Sequence, residues 1–316
     1  MPACLIIQPI HEAGLERLRA AGVEPRFASA HDMATVAAEI GGAEAAITRN
    51  AGLDKAAMAA APALRVLGNH GIGVDPVDVA YASEIGLPIV FTPYANVQSV
   101  AEHAVSLMLA VAKDIVRNDR AVRGGDIAYR YCGHFGELSG KTLGIVGFGR
   151  IGRRTAVIAR AAFDMPVLVY SPSADPGMLA DLGMQKAASL EALFASADVI
   201  SLHVPLRAET RGLIGADILH HARKGAILIN TARGGVIDEP ALIDALLAGR
   251  LAGAGLDVFA SDAMAPDHPL LKCDNVILTP HTAGSTEECL KRTALQVVEQ
   301  VLVVLEGRRP AHLVNP

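Results

Sequence analysis

The chain has 316 residues, of which 51% are apolar and 4% aromatic, and its formal net charge is −5. The length predicts about two domains, and an acidic balance without a basic block excludes an electrostatic footprint for nucleic acid. No apolar run approaches the roughly 18 residues of a membrane span. The N-terminus also lacks the basic region and long apolar core of a signal peptide. We therefore expect a cytoplasmic protein.

The cysteines are scattered, and none forms a CxxC pair or has a histidine at metal-ligand spacing. This pattern predicts reduced thiols and no metal site. The positions are Cys4, Cys132, Cys273 and Cys289.

Strand-like and helix-like segments alternate over residues 1–95. Short apolar runs predict strands at 4–8, 45–48, 66–68 and 89–92. Helical patterns cover 12–21, 54–60 and 77–84, and Pro76 is expected to open the last of these helices. The alternation indicates a parallel sheet with helices on both faces.

Residues 99–116 have the strongest helical pattern in the chain. Ser99 is the predicted N-cap, and Glu102 three residues later completes a capping box. The polar, glycine-rich residues 124–140 then predict a loop.

A second series follows, with strands predicted at 143–146, 167–170, 199–202, 226–230, 253–257 and 276–279. Six strands with intervening helices match a complete dinucleotide-binding domain. One long helix is predicted at 286–305.

The strand at 143–146 leads directly into a glycine-rich turn, GFGRIG, and a helix. Gly147 permits the sharp turn, Gly149 lets a pyrophosphate approach the backbone, and Gly152 lets helix and strand pack closely. Amide groups at the helix start, including those of Arg150 and Ile151, then face the phosphates. This arrangement predicts a dinucleotide-binding site.

Further along, an NAD enzyme normally ends its second strand in an acid that binds the adenosine ribose. Here the strand ends in Ser171, followed by Pro172 and Ser173. No acid repels a 2′-phosphate, and Arg150 is near enough in sequence to approach one. The cofactor is thus predicted to be NAD or NADP, with a preference for NADP, although no arginine follows Ser171 directly.

Five segments carry a more specific signal. They are HGIGVDPVDVA from residue 70, NVQSVAEH from 96, GFGRIG from 147, INTARGGVIDEPAL from 229 and LTPHTAGSTEE from 278. Together they resemble the D-isomer-specific 2-hydroxyacid dehydrogenase family, in particular its phosphoglycerate-dehydrogenase-like and hydroxypyruvate/glyoxylate-reductase-like branch.

The resemblance implies an α/β fold with two doubly wound parallel-sheet domains. A Rossmann NAD(P)-binding domain, 98–284, is inserted into a flavodoxin-like substrate domain, 1–97 and 285–316, with the active site in the cleft between them. It also implies a homodimer built around the cofactor domain. The implied activity is hydride transfer between NAD(P)H and a small 2-oxo acid such as glyoxylate or hydroxypyruvate.

Two side chains have the chemistry this reaction needs. Arg233 follows the strand at 226–230, and its guanidinium is suited to holding the substrate carboxylate and carbonyl oxygen. His281 follows the last strand and is the predicted acid/base, giving a proton to the 2-oxo group or taking one from the hydroxyl.

The third catalytic residue of the family is a glutamate paired with the histidine. The matching position in this chain is Asp262, whose side chain is shorter by one carbon. Either Asp262 still supports the imidazole, or the pairing is weakened and the pH optimum is shifted. Asp267 is the poorer candidate because the segment aligns without gaps.

The resemblance also assigns residues that line the site. In the substrate domain, the Ile72 and Gly73 amides are expected to meet the carboxylate. Arg49 faces the substrate or is a solvated loop charge, and Asn96 is a substrate or hinge residue. Around the cofactor, Asp257 is expected near the carboxamide. The other wall residues are His203, Val204, Pro205, Thr231, Ala232, Ala283 and Gly284.

Two alternatives remain open. One is a D-3-phosphoglycerate dehydrogenase without a regulatory domain, since the sequence ends near residue 316. The other is a non-catalytic, dinucleotide-sensing interaction protein, favoured only by the altered Asp262 segment. No motif identifies the side chain of the acid.

Overall fold

The computed structural model describes residues 1–133, 135–261 and 264–315. The chain divides into one unit formed by Met1–Asn96 with Gly284–Pro316, and a second formed by Val97–Ala283. Each unit has a sheet of its own, so each is described separately.

The first unit is built on a parallel sheet whose strands, in the described residues, have the spatial order β2-β1-β3-β4-β5. The strands are β1 (Ala3–Ile6), β2 (Glu24–Phe27), β3 (Ala45–Thr48), β4 (Val66–Asn69) and β5 (Ile89–Phe91). The helices are α1 (Glu12–Ala20), α2 (Met33–Glu39), α3 (Lys55–Ala59), α4 (Val79–Glu84) and, from the C-terminal segment, α12 (Glu287–Leu305).

Both faces of this sheet are covered, which explains why its inner strands are apolar at successive positions. Ile6 and Ile47 pack on α1 and α12, whereas Leu5 and Leu67 pack on the opposite face. Helix α12 is seated closely on β4, because a Cβ atom at Gly68 would lie 2.8 Å from Val297 Cγ2.

The second unit has a parallel sheet of seven strands in the described residues, in the order β12-β11-β10-β9-β6-β7-β8. The strands are β6 (Leu143–Val146), β7 (Val167–Tyr170), β8 (Gln185–Lys186), β9 (Val199–Leu202), β10 (Ala226–Asn230), β11 (Leu251–Leu256) and β12 (Val276–Leu278). The helices are α5 (Val97–Ala112), α6 (Ile115–Arg123), α7 (Arg150–Phe163), α8 (Pro176–Asp181), α9 (Leu190–Ser196), α10 (Ala216–His221) and α11 (Glu239–Leu247).

The order of this sheet reverses at β6, which pairs with β7 on one side and β9 on the other. Open α/β sheets bind ligands beyond the carboxyl ends of their strands at such a switch point. The glycine turn after β6 lies at this place. The predicted fold of two doubly wound parallel sheets is confirmed.

Two edge strands were missed in the sequence. Strand β2 is largely exposed and contains Pro25, and β8 is only two exposed residues long. Because these two edge strands are exposed, they lack the apolar run by which the other strands, including the edges β5 and β12, were recognised.

The helix predicted at 99–116 was wrong in its bounds. Helix α5 begins at Val97, with Ser99 buried inside it, so Ser99 is not the N-cap. The helical path breaks at Asp114, whose φ of 53° is left-handed, and α6 follows. Likewise, α4 begins at Val79 with Asp78 as its cap, so Pro76 lies before the helix.

Among the described residues, no helix is both long and apolar enough to cross a membrane.

Candidate active site

The glycine turn after β6 is held tightly against β9. The Gly147 amide donates to the Tyr170 carbonyl at 2.8 Å, and Gly147 has a φ of 93°. A Cβ atom at Gly147 would lie 2.7 Å from the His203 carbonyl oxygen, and one at Gly152 would lie 2.2 Å from the Gly147 oxygen. Neither position has room for a side chain.

Gly149 differs from these two glycines. It is the exposed N-cap of α7, and no atom lies within 4 Å of its Cβ position. The start of α7 therefore presents open space in front of Arg150 and Ile151, with no acid in the first turn. Such a cradle fits the pyrophosphate of a dinucleotide.

Alanine substitutions are expected to separate the close packing of the turn at Gly152 from the binding of the pyrophosphate at Gly149. Gly152→Ala forces a backbone clash, so it should destabilise the fold by about 1–3 kcal/mol or more and abolish cofactor binding. Gly149→Ala has a compatible φ of −73° and open space, so it should keep the melting temperature while its methyl group weakens dinucleotide binding. Calorimetric melting and cofactor titration measure the two effects.

Gly41→Ala is the control, because Gly41 has open space at its Cβ position and no positive φ. Gly212→Ala would not serve, because Gly212 has a positive φ. Unchanged cofactor affinity in Gly149→Ala would contradict the placement of the pyrophosphate at this turn.

At the end of β7, Ser171 is buried and Ser173 is exposed. The next acid, Asp175, accepts the Met178 amide as the cap of α8. That carboxylate is therefore engaged in capping, and the strand end that was predicted to face the ribose has no acid.

His203 follows β9 and is held by both its backbone and its ring. Its amide donates to the Val146 carbonyl at 2.7 Å, and its Nε2 lies 2.9 Å from Ser201 Oγ. Burial lowers the pKa of His203 to about 4, so the ring is neutral at physiological pH. Val204 and then the exposed Pro205 continue this wall.

The loop bearing Arg233 is fastened by Asn230, the last residue of β10. Its Oδ1 accepts the Ala232 amide, and its Nδ2 donates to the Arg233 carbonyl, both at 3.0 Å. Thr231 Oγ1 is buried and has no hydrogen-bond partner among the described residues. Buried polar atoms are normally paired, so this hydroxyl is available to a ligand.

The turn after β12 is organised by a fully buried carboxylate. Asp257 Oδ1 accepts from Thr279 Oγ1 at 2.6 Å and from the Thr282 amide at 2.8 Å, and its Oδ2 accepts from the Ala283 amide at 2.9 Å. The Asp257 carbonyl also accepts the His281 amide. The turn thus holds His281 at the carboxyl edge of the sheet, the edge at which the Arg233 loop also lies.

His281 itself is exposed and has a φ of 55°. A left-handed backbone in a non-glycine residue costs roughly 1–2 kcal/mol, and residues held in this way cluster at functional sites. Asp262, the predicted partner of His281, lies outside the described residues.

In the first unit, the loop after β4 presents unpaired amides. Asn69 Nδ2 donates to the carbonyls of Gly71 and Gly73, and Gly71 has a φ of 148°. The Ile72 and Gly73 amides have no hydrogen-bond acceptor among the described residues. These are the two amides that were predicted to meet the substrate carboxylate, and that role stays a prediction.

Arg49 and His70 are neighbours in this unit. Arg49 Nη1 donates to the Pro9 carbonyl at 3.0 Å, and burial lowers the pKa of Arg49. Burial and the charge of Arg49 lower the pKa of His70 to about 4, and His70 Nε2 has no partner among the described residues. Asn96 Oδ1 is likewise buried without a described partner.

Four residues that shape this candidate site were not predicted to belong to it, although His103 had been interpreted as mainly structural. Asn230 and Thr279 fasten loops, His103 contacts Thr279, and Gly234 is required because its Cβ atom would lie 1.8 Å from the Phe259 carbonyl oxygen. Only Asn230 had a local signal, since an asparagine at a strand end favours a turn.

Comparison with known proteins identifies the family of the chain. Residues 105–283 match the model of the D-isomer specific 2-hydroxyacid dehydrogenase NAD binding domain. A D-3-phosphoglycerate dehydrogenase from Archaeoglobus fulgidus is 37% identical over 98% of this chain and 59% of its own length. A glyoxylate reductase from Thermofilum pendens is 40% identical over 83% of this chain and 78% of its own.

Among solved structures, the NADPH-dependent glyoxylate/hydroxypyruvate reductase from Sinorhizobium meliloti in complex with citrate superposes with a TM-score of 0.89. It is 29% identical and is matched over 100% of this chain and 99% of its own. The chain spans about three-fifths of the length of the phosphoglycerate dehydrogenases it matches. The protein belongs to the D-isomer specific 2-hydroxyacid dehydrogenase family, whose members use NAD(P).

Proposed function

We propose that the protein reduces a small 2-oxo acid, such as glyoxylate or hydroxypyruvate, to its D-2-hydroxy acid, or runs the reverse reaction. The observation that carries this proposal is the anchored turn of His281. It lies at the same carboxyl edge as the Arg233 loop, in the sheet that also bears the glycine turn.

The nicotinamide ring, when bound, supplies or accepts the hydride. The cradle at Gly149 and the unpartnered Thr231 hydroxyl support binding of such a cofactor. Asp257 remains the residue proposed to lie near the nicotinamide carboxamide. Both of its carboxylate oxygens already accept hydrogen bonds from the 279–283 turn.

Protein side chains bind the substrate and transfer the proton. Arg233 holds the carboxylate and polarises the C2 carbonyl through charge-assisted hydrogen bonds. The imidazole of His281 gives a proton to the C2 oxygen during reduction and removes it from the hydroxyl during oxidation. Asp262 remains the proposed support for that imidazole, and Ile72 and Gly73 remain the proposed amides for the carboxylate.

The test is a panel of 2-oxo acids offered with NADH and NADPH in parallel, followed at 340 nm. Turnover of glyoxylate or hydroxypyruvate is expected. Cofactor binding without turnover of any acid would refute the proposal and favour the non-catalytic, dinucleotide-sensing alternative.

A second candidate is D-3-phosphoglycerate dehydrogenase activity. It is favoured by the relative of that name, which is 37% identical over 98% of this chain. Including 3-phosphohydroxypyruvate in the panel decides between the two. A kcat/KM at least tenfold above that for hydroxypyruvate would favour the phosphorylated substrate.

We further propose a preference for NADP. The absence of an acid at Ser171 removes repulsion of a 2′-phosphate, and the exposed Arg150 is close in sequence to the glycine turn. Introducing the acid should reverse this preference.

Ser171→Asp is therefore expected to raise the KM for NADPH by about tenfold or more, since like charges repel. The KM for NADH should change less or fall. Parallel kinetics with both cofactors measure the ratio, and Ser196→Asp, at an exposed serine of α9, is the control. An unaltered NADPH-to-NADH ratio in Ser171→Asp would contradict this role.

The proposed oligomer is a homodimer, with a cytoplasmic location. Its support is a group of exposed apolar side chains on α6 and in the segment after it, here named the α6 face. The side chains that form it are about half to four-fifths exposed. They are Ile115, Val122, Ile127, Tyr131 and Phe135. Exposed apolar side chains that lie together are typical of an interface, and we propose that these five do.

Charges on the α6 face should separate the protomers. Val122→Lys combined with Tyr131→Lys is expected to give a monomer of 32.9 kDa in sedimentation, whereas the parent chain sediments at about twice that mass. Phe27→Lys, at an exposed apolar residue of β2, is the control and should leave the dimer intact. A dimer that survives the double substitution would exclude this face.

A further inference from the structure

A histidine on α5 contacts the turn that carries His281. His103 Nε2 lies 3.0 Å from Thr279 Oγ1 and 3.5 Å from Asp257 Oδ1. The His103 side chain is 23% exposed, and the Asp257 carboxylate is fully buried. Thr279 is thus placed between a ring nitrogen and a carboxylate.

The direction of these hydrogen bonds follows from the donors available. Thr279 Oγ1 lies 2.6 Å from Asp257 Oδ1, a distance typical of a hydroxyl donating to a charged oxygen. A hydroxyl has one proton, so Thr279 Oγ1 must accept the bond from His103. His103 Nε2 therefore carries a hydrogen.

This series of hydrogen bonds ends at the backbone of His281. The His281 amide donates to the carbonyls of both Thr279 and Asp257, at 3.0 and 2.9 Å. These contacts hold His281 at its left-handed φ of 55°. Loss of the His103 donor would leave Thr279 and the buried carboxylate with one fewer partner, and the turn would relax.

We propose that His103 is a positioning residue for His281, acting through Thr279 and Asp257; this inference rests on the proposed reductase function. His103 touches neither substrate nor cofactor in this role. It fixes the side-chain geometry of Thr279 and so the direction in which the His281 imidazole points.

Two substitutions of His103 test the bond. His103→Leu removes the donor and should lower kcat by roughly tenfold, since small misplacements at a reacting centre are costly. His103→Gln restores an N–H donor and should recover most of that loss. His221→Leu, at an exposed histidine of α10, is the control and should behave as the parent chain.

The hydride isotope effect distinguishes positioning from loss of folded protein. With C4-deuterated cofactor, His103→Leu should show a larger isotope effect on kcat, because chemistry becomes more rate-limiting. Fewer folded molecules would lower kcat with the isotope effect unchanged. An unchanged isotope effect, or a glutamine variant as impaired as the leucine variant, would overturn the proposal.

A double-mutant cycle tests the route. Thr279→Val removes the hydroxyl that lies between His103 and Asp257. Adding His103→Leu to the Thr279→Val variant should therefore lower kcat by less than a further twofold. Full additivity of the two losses would show that His103 acts by another path.

One measurement is independent of turnover. In ¹⁵N-histidine-labelled protein, long-range ¹H–¹⁵N spectra should show a hydrogen on His103 Nε2, and Thr279→Val should shift that resonance. A bare Nε2 would overturn the inference even in an active enzyme. An inactive parent chain with a protonated Nε2 would instead refute the proposed function while retaining the hydrogen bond.

Discussion

Replacing His281 by glutamine should lower kcat by roughly 10²- to 10⁴-fold, the range that a general acid/base contributes. Glutamine keeps polar groups of similar reach but does not transfer a proton near neutral pH. The turn is anchored through the His281 main chain and Asp257, so the fold and the cofactor site should persist. Steady-state kinetics and fluorescence titration of the cofactor measure both quantities.

The matched control is His221→Gln, at an exposed histidine in the same unit, which should retain full activity. Activity in His281→Gln within tenfold of the parent chain would remove His281 from the acid/base role. Loss of cofactor binding together with activity would indicate that the turn itself had collapsed.

Replacing Arg233 by glutamine is expected to have a comparable effect through a different step. Each charge-assisted hydrogen bond contributes about 1.5–3 kcal/mol. Loss of two such bonds lowers kcat/KM by roughly 10²- to 10⁴-fold. Arg233→Lys should recover little, because an ammonium lacks the planar pair of donors.

Kinetics with the best acid of the panel measure this effect, and Arg19→Gln, at an exposed arginine of α1, is the control. A lysine variant with nearly full activity would show that charge alone is sufficient. A glutamine variant with unchanged KM and kcat would place the carboxylate elsewhere.

The parts of the fold predicted from sequence were those with strong local signals. The inner strands of both sheets are continuously apolar because helices cover both faces. Strands β2 and β8 are exposed edges and have no such pattern. The break between α5 and α6 depends on the left-handed backbone of Asp114. The spacing of apolar residues does not reveal such a backbone conformation.

The predictable part of the site was its position. Arg233 and His281 follow strands of a parallel sheet, so their placement at one edge follows from the topology. The glycines were predictable in the same way. Gly147 and Gly152 each prove to have no room for a Cβ atom.

What the sequence did not reveal were contacts between distant segments. His103 and Thr279 are separated by 176 positions, and no spacing rule links them. Asp257 was predicted as a cofactor residue from the family pattern, yet its carboxylate also organises the turn of His281. Such a network depends on how α5 packs against β11 and β12.

The proposed reaction is transfer of a hydride to C2 of a 2-oxo acid, which generates the D isomer. It is tested most directly by incubating the protein with hydroxypyruvate and NADPH deuterated at both C4 positions. The expected product is glycerate with one deuterium at C2 and the D configuration. Product with hydrogen at C2, product of the L configuration, or no product from any acid of the panel would contradict it.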